Sequence, residues 1–154
     1  MLAIGTYIQL TGADGGDGYY FQNFHHGENR DYNGSSYMYA AFGFSGGTLD
    51  LEAANIDASL VFAVNKLALS VFQQAVEGRW IIIIRTVWLN PETLEEGSTY
   101  GEETYAITGL EHDNSRLSVR LGSPLDAVAQ NAPRRVLTQK LVGALPSTGN
   151  INLN

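Results

Sequence analysis

Residues 80–89 read Trp-Ile-Ile-Ile-Ile-Arg-Thr-Val-Trp-Leu. Branching at Cβ suits the pleated surface of a sheet and restricts χ1 in a helix, so a run this rich in Ile, Val and Trp forms a strand. Side chains alternate between the two faces of a strand. One face therefore carries Trp80, Ile82, Ile84, Thr86 and Trp88, and the other Ile81, Ile83, Arg85, Val87 and Leu89. Both faces are largely apolar. Both need covering, by the chain's own core or by a neighbouring subunit. Nothing else in the chain is chemically as distinctive, and that contrast favours a building block over an enzyme.

At 154 residues the chain is long enough for one domain with a real core. Its 44% hydrophobic content argues against disorder. The 17 glycines, with only 16% charged residues, fit a strand-rich chain with many turns. Cysteine is absent, which excludes disulfides, thiol catalysis, iron–sulfur clusters and the common zinc ribbons. The formal charge is -7, with nine Lys and Arg. Tight binding to nucleic acid draws on clustered cations, so no specific nucleic-acid partner is expected. No stretch reaches the ~20 apolar residues of a membrane helix. Met1-Leu-Ala-Ile-Gly-Thr-Tyr7 lacks the basic start of a signal peptide, and none is expected.

Along the chain, Ile4 to Leu10 alternates as a first strand. The glycine cluster 12–18 turns it into a second, Tyr19 to Phe24. His25 to Ser36 reads as a polar loop, Tyr37 to Phe44 as extended, and Thr48 to Ala54 as a half-exposed strand. The spacing of Val64, Leu67, Ala68, Val71, Phe72, Ala75 and Val76 predicts a helix over 64–77. Asn65 is placed to cap its start, and Gly78 sits at its end. Asn90 to Thr99 reads as a loop containing Pro91. Glu102 to Leu110 and Arg116 to Leu121 form a further hairpin. Leu125 to Gln130 suits a helical turn, and Ala132 to Val136 an extended segment. The order predicts a mainly β (α+β) fold, an antiparallel sandwich or barrel with one flanking helix.

The chemical motifs are weak. Gly43-Phe-Ser-Gly-Gly47 matches G-x-S-x-G, but a nucleophile elbow runs from strand into helix, and Thr48-Leu-Asp-Leu continues as strand. Adjacent His25 and His26 point to opposite faces of an extended segment, a poor chelating pair, and His112 is far away. Asp14-Gly-Gly-Asp17 lacks the spacing and closing Glu of a calcium loop. No metal or cofactor is expected. Glu92, Glu95, Glu96, Glu102 and Glu103 form an acidic stretch, which reads as a solvated rim or as an interface with a basic partner. Arg116, Arg120, Arg134, Arg135 and Lys140 make the C-terminal third basic, so that partner can be a second copy.

Several segments together carry a resemblance. Tyr37…Gly43-Phe-Ser-Gly-Gly-Thr-Leu-Asp-Leu51, then Ala53-Ala-Asn55 and a short helix, lead to a strand ending Arg85-Thr-Val-Trp-Leu89. Leu121-Gly-Ser-Pro-Leu-Asp-Ala-Val128 and Pro133-Arg-Arg-Val136 follow. This layout, over roughly residues 1–140, is similar to the minor tail protein L family and related short tail-tip proteins of tailed phages. Longer members carry a cysteine-bearing domain with an iron–sulfur cluster. This chain has no Cys, so no cluster is implied. The resemblance implies a hub-like β-domain in the virion, at the tail tip or baseplate, linking the tail tube or distal tail ring to the distal apparatus. It brings no catalytic residues.

The resulting expectations are a single β-rich domain over 1–142 and a C-terminal arm over 143–154. The chain would assemble with copies of itself, as a trimeric or hexameric ring, and with neighbouring tail proteins. Arg134, Arg135, Lys140, Glu95, Glu96 and Glu102 are the expected contact residues. The second reading is a small β-barrel that binds carbohydrate through Tyr19, Tyr20, Tyr37, Tyr39 and Trp88, since aromatic rings with polar tips suit ligand faces.

Overall fold

A computed structural model describes residues 3–12, 15, 16, 18–49 and 56–124. They form strands β1 (Ala3–Thr11), β2 (Tyr19–Gln22), β3 (Arg30–Tyr32), β4 (Ser35–Tyr39), β5 (Phe42–Leu49) and β6 (Ile56–Ala63), helix α1 (Lys66–Glu77), then β7 (Ile81–Leu89), β8 (Glu96–His112) and β9 (Arg116–Gly122). All nine strands join one sheet, in the order β3-β4-β2-β1-β7-β8-β9-β6-β5. The fold is mainly β with one helix, as the sequence predicts. It is not a pair of stacked antiparallel sheets, because β2 and β4 pair parallel and a single sheet holds every strand.

That sheet curls. Ala40 and Ala41, between β4 and β5, are neighbours in the chain, yet Ala40 N–H donates to Gln22 and Ala63 N–H donates to Ala41. Two adjacent residues thus bond to strands near opposite ends of the order. The curl brings β2 to β6, with the rings of Phe21 and Phe62 6.1 Å apart. Inside it lies the main core, built by Ile8, Leu10, Phe21, Leu60, Phe62, Ile82, Ile84, Leu117 and Val119. Helix α1 adds Ala68, Val71, Phe72 and Ala75 to that core, and Phe72 packs against Phe62 at 4.7 Å. Asn65 Oδ1 accepts from the N–H of Ala68 and caps the helix. Gly78 ends it in an ordinary right-handed conformation, and the left-handed residue is Arg79 (φ 51°). Glycine is needed at 78 because a Cβ there would collide with the indole of Trp80.

The strand at 81–89 is covered on both faces by its own chain. Ile82 and Ile84 face the main core. Val87 and Leu89 point the other way, into a second core with Tyr7 and Tyr37, and Phe24, Tyr32 and Leu94 pack around it. Gly5 makes this packing possible, since a Cβ on it would lie 2.6 Å from Phe24.

Three stretches differ from expectation. The presumed loop at 25–36 contains β3 and the start of β4, joined at Asn33-Gly34 with φ of 48° and 80°. Asn-Gly with both φ values positive is the usual two-residue hairpin turn. Strand β6 fills a stretch to which no strand had been given, with Ala58, Leu60 and Phe62 buried at alternate positions. Strand β8 begins at Glu96, inside the presumed 90–99 loop, because pairing with β7 holds a Gly-Ser-rich stretch extended against its own weak preference. The expected helical turn at 125–130, the extended segment at 132–136 and the arm boundary at 142 all lie outside the described residues.

Candidate interaction surface

The second core is roofed by two ion-pair clusters. Arg85 on β7 stands opposite Glu102 on β8 in the strand register. Its Nε donates to Glu102, and a terminal nitrogen donates to Gln9 at 3.0 Å and to the Tyr37 hydroxyl at 3.5 Å. Burial works against the Arg85 charge, but Glu102 outweighs it and the guanidinium titrates above its ordinary value. Arg30 on β3 donates to Glu96 at 3.1 Å, and the Tyr7 hydroxyl donates to the same carboxylate oxygen. Burial and then Glu96 push the Tyr7 phenol above the normal tyrosine range. The Tyr7 ring stacks on Tyr32 at 4.4 Å and meets Tyr37 edge-on at 4.7 Å. Glu96 and Glu102 therefore have cations of their own chain, Arg30 and Arg85, which strand pairing supplies and linear distance concealed. Arg120 similarly pairs with Glu111.

Beside this roof lies a different surface. Two register shifts interrupt the β7–β8 ladder, between Thr86 and Val87 and between Val87 and Leu89. A bulge re-aims the side chain of its extra residue, and here the ring of Tyr100 meets Trp88 edge-on at 5.0 Å. Trp88 in turn pairs with Ile4 on β1. Tyr100 is 66% exposed and Ile4 54%. This apolar ridge adjoins an unpaired edge. Strand β9 covers β8 only from Ala106 onward. Among the described residues, no strand pairs with the other edge of Gly97–Thr104.

The remaining candidates do not come together. Ser45 lies exposed in mid-strand opposite Ser59, with a register shift after it and β5 running on. The strand-to-helix turn of a nucleophile elbow is not there. His25 sits 3.7 Å from Glu28, and His26 packs on Tyr39. His112 lies at the far end of β8. No cluster of metal-ligating side chains occurs among the described residues. His112, Asp113 and Ser118 line one open depression, but no hydrogen bond links them into a relay. Oδ1 of Asp113 is occupied by the Ser115 N–H and hydroxyl and by the Arg116 N–H, which hold its carboxyl below the usual range. Asp14, Asp17, Arg134, Arg135 and Lys140 lie outside the described residues.

The five aromatics of the carbohydrate reading are scattered. Tyr19 packs on the main core against Trp80, and Tyr20 and Tyr37 belong to the second core. Tyr39 lies by His26, and Trp88 joins Tyr100. Sequence reasoning missed Ile4 and Tyr100 as a pair, since only the β1–β7 register and the β8 bulge bring them to flank Trp88.

No protein-family model matches the chain, and no curated protein matches it in sequence.

Proposed function

We propose that the chain is a structural virion protein of a tailed bacteriophage, a tail-tip or baseplate hub subunit. It assembles with copies of itself and joins the tail tube or distal tail ring to the distal apparatus, without a catalytic step. The observation that supports an assembly role is the Ile4–Trp88–Tyr100 ridge beside the edge of β8 that is unpaired among the described residues. Exposed apolar side chains next to unpaired backbone groups are unfavourable in water and are relieved when another chain covers them. The phage assignment draws on the resemblance of the segments around Gly43–Leu51, Leu121–Val128 and Pro133–Val136 to tail-tip proteins.

Native mass measurement of the purified chain, together with protein analysis of phage particles, tests this reading. Three or six copies in solution and the chain in the tail are the expected result. A monomer at every concentration that binds a glycan and never joins particles overturns it.

A further inference from the structure

We propose that the edge of β8 over Gly97–Thr104, unpaired among the described residues, receives the segment Val136–Val142 of a second copy as an added strand. This rests on the ring reading above and names the contact that would close the ring. A strand added to an exposed edge gains main-chain hydrogen bonds along its length, and its alternate side chains provide selectivity. The edge offers eight residues, and the segment Val-Leu-Thr-Gln-Lys-Leu-Val supplies seven. The segment is rich in β-branched residues, and Leu137 and Leu141 fall on one face of it in an extended conformation. The ridge of Trp88 and Tyr100 next to the edge is an apolar surface for that face.

Charge selects the occupant. Glu96 and Glu102 at this edge already pair with Arg30 and Arg85, and the flanking Glu95 and Glu103 have no ion-pair cation among the described residues. Residues 127–154 contain Arg134, Arg135 and Lys140 and no acid. Acids and bulges on an edge strand also discourage indiscriminate pairing, so a basic strand is admitted where an acidic one is repelled.

The direction of the chain argues for a second copy. Strand β9 runs antiparallel to β8 and ends with Gly122 opposite Ala106. Straight continuation would have laid the same chain along Tyr105 and on towards Gly97. Pro124 has no N–H to give to such a ladder, which breaks straight continuation of the same chain and favours a strand from a second copy.

The absence of cysteine makes the test clean. Full-length chains carrying Thr104→Cys and Thr138→Cys are prepared separately, mixed and mildly oxidised. Ser98→Cys and Tyr100→Cys against Val136→Cys and Lys140→Cys scan the register, and Ser36→Cys on the distant β3–β4 hairpin serves as control. A disulfide between the two different chains, at least tenfold above the control, is the expected result. Reversal with Arg134→Glu and Arg135→Glu should lower the yield about tenfold, and Glu95→Lys with Glu103→Lys in the other chain should restore most of it. An unchanged yield after reversal overturns the charge-selected pairing. A disulfide that forms only within one chain carrying both cysteines overturns the second-copy occupant. If the chain forms rings by native mass yet no pair cross-links, this inference fails and the ring reading stands. If the chain is a monomer and no pair cross-links, both fail.

Discussion

Gln22 is fully buried, and every polar atom of its side chain is engaged. Its Oε1 accepts from the N–H groups of Phe24 and His25, at 2.9 and 2.6 Å. Its Nε2 donates to the carbonyls of His25 and Glu28, at 2.8 and 3.1 Å. One amide thus stands in for a ladder through the turn after β2. Gln22→Leu keeps the volume but orphans those backbone groups, and a loss of about 2–4 kcal/mol in denaturant unfolding is expected. Tyr7 makes a second test at this scale. Its phenol ionises less readily in the folded chain than when unfolded, so its contribution is complete below the unfolded value of about 10 and declines as pH rises past it. In an ultraviolet titration Tyr7 should stay protonated until the chain unfolds in alkali, and Tyr7→Phe should remove that late step. Neither role was legible in the sequence. A glutamine in a strand looks like surface, and nothing in Tyr7 itself announces Glu96, which lies 89 positions away.

Among the elements, α1 was the most legible, because its core stripe repeats at helical spacing and Asn65 stands where a cap belongs. Asn65→Ala should cost about 1 kcal/mol. Phe72→Ala, which empties a site in the main core, should cost ~3–5 kcal/mol in the same measurement. Strand β7 was equally legible, and Ile84→Asp should prevent folding, since it places an unpaired charge at a 1% exposed site. A cooperative, soluble Ile84→Asp variant would show that the strand does not carry the core. Strand β6 and the β3–β4 hairpin were missed although their signals were present, in the alternation of Ala58, Leu60 and Phe62 and in Asn33-Gly34. The first half of β8 was not readable locally, because Gly97, Ser98 and Gly101 favour no strand until β7 pairs with them.

At the scale of the whole molecule, the surface separates two kinds of substitution. Ile4→Lys with Tyr100→Lys should leave the melting temperature nearly unchanged, since both side chains are exposed, and should abolish assembly into tails. On the proposed structural role, Ser45→Ala, His25→Ala and His112→Ala should leave phage infectivity intact. A large loss from Ser45→Ala in a chain that still folds and assembles would revive a hydrolytic role.

The sequence by itself determined what depends on neighbours along the chain. The long apolar strand, the capped helix, the hairpins read at 4–24 and 102–121, and the absence of thiol chemistry all follow from side-chain period, turn residues and composition. Tertiary structure decided what depends on residues far apart. It curled the open sheet through Ala40-Ala41, covered β7 on both faces, paired Glu96 with Arg30 and Glu102 with Arg85, and gathered Ile4, Trp88 and Tyr100 beside an edge unpaired among the described residues. Register causes the difference. A one-residue shift in pairing sends a side chain to the opposite face of the sheet, and the bulges that set it in β8 arise only when β7 and β8 meet.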